Sequence, residues 1–312
     1  MSARMHAIVQ FVFGGPETLT YVETDVPEPG PGEVLLRVAG AGVNPGDVVL
    51  RSGRVPELVP LPWTPGNDVA GVVERVGEGV TRFAPGDEVY GMLSVTPRGA
   101  YAEFTAVPAD ALAPAPKNLD LAHAGAVPLV AVTAWQALAV LARIGPGDRV
   151  LIHAAAGGVG HVAVQLAKEL GAYVIGTARA AHHDFLRGLG ADELIDYTTT
   201  DFRTAVAPVD AVLDLVGGSY GPRSLDVLRP DGLLVGASID PGTDEQQAAA
   251  RGLRYTWVTA EPSGDLLKQV TERVEAGRLR VSVERTYPLA EAAEAHRAIE
   301  AKRTTGKLVL VP

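Results

Sequence analysis

The sequence predicts an α/β protein in which a β-rich domain is interrupted by a second domain built on a doubly wound parallel sheet. Three observations lead to this prediction: a length of 312 residues, a change of pattern near residue 123, and a return to strand-like segments after residue 262. A single hydrophobic core rarely grows beyond roughly 250 to 300 residues, so two cores are expected. We therefore predict one domain over residues 1–122 and 262–312, and a second over residues 123–261.

The first domain is predicted from short β-rich runs separated by Gly and Pro. Runs of this kind are typical of strands in a small barrel or a partly open sheet. Between residues 5 and 108 they read "MHAIVQFVF", "EVLLRVAGAGVN", "DVAGVVERVG", "DEVYGML" and "AYAEFTAVP".

The second domain is predicted from apolar strands that alternate with segments of helix length. This alternation indicates a parallel sheet with helices on both faces. The strand candidates are 149–154, 173–178, 193–197, 209–214, 232–238 and 253–260.

The last 50 residues break this alternation. A helix near 263–277 is followed by "VSVERTYPL", the helix "AEAAEAHRAIEAK" and the strand "KLVLVP". We assign them to the first domain, which places the expected ligand site between the two domains.

Composition excludes several classes of function. The net charge is −10, from 27 Lys and Arg against 37 Asp and Glu, which disfavours binding to nucleic acid or to an anionic membrane. The start "MSARMHAIVQFVFGG" lacks a secretion signal, and no uninterrupted apolar run of spanning length follows, so we expect a cytoplasmic protein. Because Cys is absent, disulfides, thiolate catalysis and sulfur-ligated zinc are excluded.

A glycine turn follows the strand candidate 149–154 and opens a helix. Ala155, Gly157 and Gly160 have the spacing of a dinucleotide-binding turn, although the first position is usually Gly. Backbone amides at the start of a helix attract phosphate, and the strand before the turn supplies the required context. A glycine turn that serves only packing is the alternative. The residues expected to hold the cofactor here are Gly157, Gly158, Val159 and Gly160.

The end of the next strand indicates which dinucleotide binds. About 20 residues after the turn, an NAD site carries an acidic residue for the ribose hydroxyl. Here the chain has Thr177 and Arg179 instead. Thr177 could donate to a 2′-phosphate and Arg179 could pair with it, so we expect NADP(H). His182 could add a donor, or it could begin a solvated helix.

Four segments resemble one known family in order along the chain. "AGVNPGDVVLRSG", "PGNDVAGVVERVGEGV", "AGAVPLVAVTAWQAL" and "AAAGGVGHVAVQLAKELGA" resemble the zinc-independent quinone oxidoreductases of the medium-chain dehydrogenase/reductase superfamily. The resemblance covers almost all of residues 5–312 and implies a GroES-like catalytic domain with an inserted Rossmann domain, and NADPH bound in the cleft. The zinc-using members carry a Cys and a "GHE" motif, whereas this chain has no Cys and reads Gly66-Asn67-Asp68. We therefore expect no metal.

The resemblance also implies positions for further site residues. It places Asn44 and Asp47 near the nicotinamide and the substrate. Relatives often show Ser and Lys where Arg179 and His182 stand here, so the NADPH preference depends on the chemistry of these two residues. The residues implied to border the cofactor are Thr133 at the nicotinamide carboxamide, Tyr197 at the adenosine phosphate, and Gly217 and Ser238 in two loops.

Without zinc, hydride transfer to a quinone or an enone requires hydrogen-bond donors for the negative charge that develops on oxygen. The Asn44 amide is a candidate donor, but an Asn before Pro45 is also an ordinary turn residue. Asp47 could organise a proton path, or it could cap the short helix "VVLRSG", which is the favoured alternative.

These observations predict an NADPH-dependent, zinc-independent reductase of quinones or α,β-unsaturated carbonyl compounds. An enoyl-thioester or biosynthetic enone reductase is an alternative, although it would need a basic track for a carrier phosphate. A non-catalytic NADPH-binding sensor is an alternative of another class, and binding without turnover would identify it. The apolar last strand "LRYTWVTA" predicts a homodimer joined at that edge, as the superfamily resemblance also implies.

Overall fold

A computed structural model of the protein describes residues 3–312. The strands, in chain order, are β1 (Arg4–Val9), β2 (Thr20–Asp25), β3 (Glu33–Val43), β4 (Asp68–Val76), β5 (Glu88–Met92), β6 (Phe104–Pro108), β7 (Leu112–Pro114), β8 (Arg149–Ile152), β9 (Tyr173–Ala178), β10 (Glu193–Asp196), β11 (Val209–Asp214), β12 (Leu228–Gly236), β13 (Arg254–Trp257), β14 (Val283–Pro288) and β15 (Lys307–Val311). The helices are α1 (Pro45–Arg51), α2 (Leu121–Ala124), α3 (Pro128–Trp135), α4 (Gly158–Glu169), α5 (His183–Gly188), α6 (Phe202–Ala205), α7 (Tyr220–Ser224), α8 (Glu245–Ala249), α9 (Gly264–Glu275) and α10 (Ala292–Glu300).

The chain divides into two compact units, one inserted in the sequence of the other. The catalytic unit, as we name it, runs up to Val132 and resumes over Glu261–Pro312. The dinucleotide unit comprises Thr133–Ala260.

The catalytic unit is built on a seven-stranded sheet in the order β14-β15-β3-β4-β5-β7, with β6 paired to β3. Neighbouring strands in this sheet run antiparallel, except that β14 and β15 run parallel to each other. β3 pairs with β15, β4 and β6, and the register shifts twice along β3 and β4, which bends the sheet. This GroES-like arrangement confirms the predicted β-rich class.

The core of this unit joins the two ends of its sequence. Val34, Leu36 and Val43 of β3 pack in one buried cluster with Leu308 and Leu310 of β15. Since β15 also pairs with β3 in register, the end of the chain completes the sheet that the first hundred residues begin.

The dinucleotide unit contains a parallel six-stranded sheet in the order β10-β9-β8-β11-β12-β13. From the centre of the sheet, β8, β9 and β10 follow one another towards one edge, and β11, β12 and β13 follow one another towards the other edge. This is the doubly wound Rossmann arrangement. This confirms the predicted fold class. β12 begins at Leu228, four residues before the predicted 232. The reason is that Leu228 pairs with Val209 of β11, ahead of a register shift between Val209 and Ala211.

One stretch, Leu121–Leu141, is long and apolar enough to cross a membrane by length and composition alone. Its mean hydropathy is 1.8, and 67% of its most apolar window is buried inside the protein. His123, Thr133 and Gln136 interrupt it. Such burial is typical of a core helix.

Candidate cofactor and active site

Most of the residues expected to bind cofactor lie in loops at one edge of the parallel sheet. Carboxyl ends of parallel strands meet at the same edge, and the strand order reverses between β8 and β11. Five loops follow the strands at this edge: they carry Gly157 to Gly160 after β8, Arg179 after β9, Tyr197 after β10, Gly217 after β11 and Ser238 after β12.

The glycine turn is packed too tightly for side chains at its last position. Ala154 has a φ of 50°, and the Gly157 N–H donates to the Ala154 carbonyl at 2.9 Å. A Cβ on Gly160 would lie 2.3 Å from that same carbonyl oxygen. Because α4 begins at Gly158 directly after this turn, its first amides are available to a phosphate.

Ala155 stands where dinucleotide turns usually have Gly, and the neighbouring strand makes room for it. Ala155 is fully buried. A Cβ on Gly176 of β9 would lie 3.0 Å from the Ala155 Cβ. The missing side chain at Gly176 therefore accommodates the additional methyl group at Ala155.

The structure brings Arg179 and Tyr197 together. Arg179 Nε donates a hydrogen bond to the Tyr197 hydroxyl at 3.1 Å. Tyr197 is 40% exposed and Arg179 is exposed as well. The bond fixes the guanidinium through one nitrogen and leaves both Nη atoms outside it, which is the part that can pair with a phosphate.

Thr177 points into the unit, whereas the sequence analysis expected its hydroxyl to reach a phosphate. It is 1% exposed, and its Oγ1 lies 3.1 Å from Nδ1 of the buried His153. Ser224 Oγ donates to the Tyr220 carbonyl at 2.7 Å, so it accepts from His153 Nε2 at 3.0 Å.

These bonds fix the proton positions around His153. Burial, with a smaller effect from Arg223, lowers the pKa of His153 to about 3, so the ring is neutral. With its one proton on Nε2, Nδ1 accepts from Thr177. The Thr177 hydroxyl proton is therefore used inside the unit, and the placement favours a packing role.

His182 lies in a 3₁₀ turn, Ala180–His182, and is half-buried. Its backbone N–H donates to the Arg179 carbonyl at 2.9 Å. α5 begins one residue later, at His183.

Gly217 and Ser238 are brought into direct proximity. Gly217 has a φ of 74°, and a Cβ there would lie 2.4 Å from Ser238 Oγ. The buried Asp214 holds the first loop by accepting from the N–H groups of Val216 and Gly217 at 2.9 Å each. Burial raises the pKa of Asp214. Thr133 is 7% exposed and lies within α3.

In the catalytic unit, Asn44 immediately precedes α1 and has its side chain fully engaged. Its Nδ2 donates to Asp68 Oδ2 at 2.9 Å and to the Gly42 carbonyl at 3.3 Å. Its Oδ1 accepts from Lys307 Nζ at 2.5 Å. Asn44 is 2% exposed. Both amide protons are committed, so the geometry favours the turn residue over the oxyanion donor.

Lys307 and Asp68 form a buried ion pair beside Asn44. Lys307 Nζ lies 3.0 Å from Asp68 Oδ2, with side chains that are 2% and 0% exposed. Asp68 Oδ1 also accepts from the Leu129 backbone N–H at 2.6 Å. The pair ties β15 to β4 at the base of the turn that carries Asn44.

Asp47 caps the helix in which it lies. As the third residue of α1, it reaches back so that Oδ2 accepts from the Asn44 backbone N–H at 2.9 Å. The same oxygen accepts from the Tyr101 hydroxyl at 2.9 Å. Asp47 is completely buried, and this burial raises its pKa to about 7. The geometry agrees with the capping alternative.

Comparison with known proteins now identifies the family. Residues 30–117 match the model of the alcohol dehydrogenase GroES-like domain, and residues 189–310 match a zinc-binding dehydrogenase model. A 2-haloacrylate reductase from Burkholderia sp is 38% identical over 96% of this chain and 96% of its own length. The chain belongs to the zinc-independent quinone oxidoreductase family of the medium-chain dehydrogenase/reductase superfamily.

Solved structures of this family share the whole fold. The quinone oxidoreductase from Coxiella burnetii is 35% identical with a TM-score of 0.95, covering 99% of this chain and 100% of its own. The Escherichia coli quinone oxidoreductase, solved in complex with NADPH, is 31% identical with a TM-score of 0.90 and the same coverage.

Side chains at the positions where zinc-using relatives of this family bind metal are engaged in other contacts. Asn67, which replaces the His of the "GHE" motif, donates to the Leu93 carbonyl at 2.8 Å. Across residues 3–312, no group of three or more His, Cys, Asp and Glu side chains is arranged to hold a metal ion.

Sequence reasoning missed Lys307 as a site residue. Its signal was a charged residue in the otherwise apolar strand "KLVLV", where burial of an ammonium group requires a partner. The partner, Asp68, is 239 residues away in sequence, so the pair could not be read from local pattern.

Proposed function

We propose that this protein is an NADPH-dependent reductase that delivers hydride, without a metal, to a quinone or to the β-carbon of an α,β-unsaturated carbonyl compound. The observation that carries the proposal is the sheet edge where the glycine turn follows β8 and the hydrogen-bonded Arg179 and Tyr197 follow the neighbouring strands β9 and β10. The names of the relatives support it, since a quinone and a haloacrylate are both conjugated electrophiles.

The residues at this edge suit a phosphorylated dinucleotide. The turn at Gly160 has no room for a Cβ, and the start of α4 offers amides to the pyrophosphate. Arg179, held through Nε by Tyr197, pairs with the 2′-phosphate through its Nη atoms. When bound, NADPH supplies the hydride. His182, Gly217, Ser238 and Thr133 border the cofactor in this proposal.

Asn44 and Asp47 act in this proposal by shaping the turn on the substrate side. Their side chains are buried and bonded to protein groups, so they hold the turn in place rather than contact the substrate oxygen. The charge that develops on that oxygen is stabilised by other hydrogen-bond donors. Asp68 is neutralised by Lys307 and leaves no free carboxylate for a metal.

The first test is oxidation of NADPH and of NADH with quinones, enones and simple ketones, with and without a chelator. We expect NADPH-selective turnover of a quinone or an enone that the chelator does not change. NADPH binding with no turnover of any acceptor would instead favour a sensor, and loss of turnover with chelator would contradict the metal-free reaction.

The second test assigns the phosphate site. Arg179→Ala should weaken NADPH by about 1–3 kcal/mol and leave NADH nearly unchanged, because one charge-assisted contact is lost. Arg187→Ala is the matched control, since Arg187 is exposed and pairs only locally with Asp184 at 2.7 Å. An equal loss of affinity for NADPH and for NADH would show that Arg179 does not bind the 2′-phosphate.

We also propose that the protein is a homodimer joined along β13. This strand ends the parallel sheet, and Trp257 on it is 38% exposed, so its free edge can pair with a second copy. Light scattering should show a dimer for the wild type and for Val140→Glu, a control at a residue that is 52% exposed. Trp257→Glu should be monomeric, and a dimer that persists in that variant would place the interface elsewhere.

A further inference from the structure

Three completely buried polar side chains form a line from α10 to α1. The His296 ring nitrogen Nε2 lies 3.2 Å from the Tyr101 hydroxyl, and that hydroxyl lies 2.9 Å from Asp47 Oδ2. All three residues are 0% exposed. The line ends at the Asp47 carboxyl group, which also accepts a hydrogen bond from the Asn44 backbone N–H.

The direction of each hydrogen bond can be assigned. An ionised Asp47 only accepts, so Tyr101 donates its proton to Asp47 and its oxygen then accepts from His296 Nε2. Burial, with a smaller effect from Arg51, lowers the pKa of His296 to about 3, so the ring is neutral and its single proton is on Nε2. His296 therefore donates to Tyr101, which becomes a stronger donor to Asp47.

Polar atoms next to this line are left without partners. Within the part of the chain that the structure describes, Asp47 Oδ1, His296 Nδ1 and the Nε and Nη1 atoms of Arg51 have no hydrogen-bond partner. Buried polar groups that serve packing alone are normally satisfied. The hydrogen bonds that stabilise the Asp47 carboxyl as an anion come from the Asn44 N–H and from Tyr101.

The charged groups around the three side chains of this line come from four elements. Lys307 on β15 lowers the pKa of Asp47 and Asp68 on β4 raises it. Arg51 on α1 pairs with Glu300 on α10, so its charge is compensated there.

We propose that Tyr101 and His296 are positioning residues for the reduction, because their hydrogen bonds hold the Asp47 carboxylate on the Asn44 backbone N–H and thereby keep the Asn44–Asp47 turn in one conformation. This proposal rests on the proposed function, in which that turn lies on the substrate side. Protonation of Asp47 makes it a weaker acceptor, so the cap loosens and turnover falls on the acid side of the pH profile.

The test is the pH dependence of kcat and KM for the enzyme with NADPH, from pH 5.5 to 8.5. In Tyr101→Phe the acid limb of kcat should move up by about 0.5–1 pH unit, because the lost donor had lowered the pKa of Asp47. His296→Leu should move it in the same direction by less, and His296→Gln, which keeps an N–H donor, should restore it towards the wild-type position.

The matched control is Tyr90→Phe. Tyr90 is also completely buried in the catalytic unit, and its hydroxyl donates to the Leu267 carbonyl at 2.8 Å, away from Asp47. Loss of the Tyr90 hydroxyl should leave the acid limb of the kcat pH profile at the wild-type position. The positioning role would be overturned if Tyr101→Phe lowered kcat by the same factor at every pH and left the acid limb of the pH profile where it is in the wild type.

A direct measurement separates this proposal from the proposed function. Carbon-13 NMR of labelled carboxyl groups, assigned with Asp47→Asn, should show Asp47 titrating at higher pH in Tyr101→Phe than in the wild type. An unchanged titration overturns the proposal even if the enzyme is active. Failure of the wild type to reduce any quinone or enone overturns the proposed function, and the positioning role in reduction falls with it.

Discussion

Replacing Lys307 with Met should strongly destabilise the catalytic unit. Lys307 is 3% exposed, and its ammonium group contacts Asp68 Oδ2, Asn44 Oδ1 and the Val43 carbonyl. Removing one partner of a buried ion pair typically costs about 3–5 kcal/mol, because the other charge stays buried. Asp68 keeps the Leu129 N–H and the Asn44 amide, so we expect the lower end, about 3 kcal/mol.

The assay is urea unfolding followed by the fluorescence of Trp63, which is 2% exposed in the catalytic unit. The other two tryptophans, Trp135 and Trp257, are replaced by Phe in all variants, so the signal reports only this unit. Lys268→Met is the matched control. Its pair with Asp265 is 3.1 Å long but has side chains that are 51% and 84% exposed, so the change should stay within about 0.5 kcal/mol.

A double-variant cycle tests the reasoning behind the magnitude. Asp68→Asn alone should also destabilise, whereas Lys307→Met combined with Asp68→Asn should cost less than the sum by about 2 kcal/mol, because no buried charge remains. Additive effects, or a Lys307→Met variant within about 1 kcal/mol of the wild type, would refute the buried ion pair as a stabilising unit.

Two further predictions concern the dinucleotide unit. Gly160→Ala should abolish NADPH binding in a fluorescence titration, because its Cβ would meet the Ala154 carbonyl at 2.3 Å, whereas Gly188→Ala, with nothing within 4 Å, should bind normally. Stability should fall as the pH drops from 7 to 5, since His153 has its pKa lowered to about 3 and only the unfolded chain takes up the proton. His153→Gln should reduce this slope in urea unfolding, and an unchanged slope would contradict a neutral His153.

The strands of the dinucleotide unit could be predicted because their signal is local. Apolar runs at regular spacing place β9 and β11 at the predicted residues. β2 was not predicted, since "TYVETD" is half polar and lies on a two-stranded sheet with exposed positions.

The direction of Thr177 could not be predicted from its strand. A parallel strand buried on both faces shows no alternation of polar and apolar residues, so nothing in "YVIGTA" tells which side a hydroxyl faces. The partner that decides it, His153, is 24 residues away.

The surroundings of Asn44 and Asp47 depend on contacts that are still more distant. Lys307 is 263 residues from Asn44, and Tyr101 is 195 residues from His296. Sequence reasoning could place both turn residues by resemblance, but only the folded chain shows that the Asn44 amide and Asp47 Oδ2 are already hydrogen-bonded within the protein.

The replacement of Gly by Ala at position 155 has a consequence for how this motif is recognised in other chains. Residue 155 lies in the turn after β8, residue 176 lies on the adjacent strand β9, and the space between them accommodates only one methyl group. The compact turn is therefore encoded by two positions together, and the two should covary: a chain with Gly at the first can carry Ala at the second. A search that scores only the three glycines of the turn would overlook chains in which the glycine has moved to the neighbouring strand.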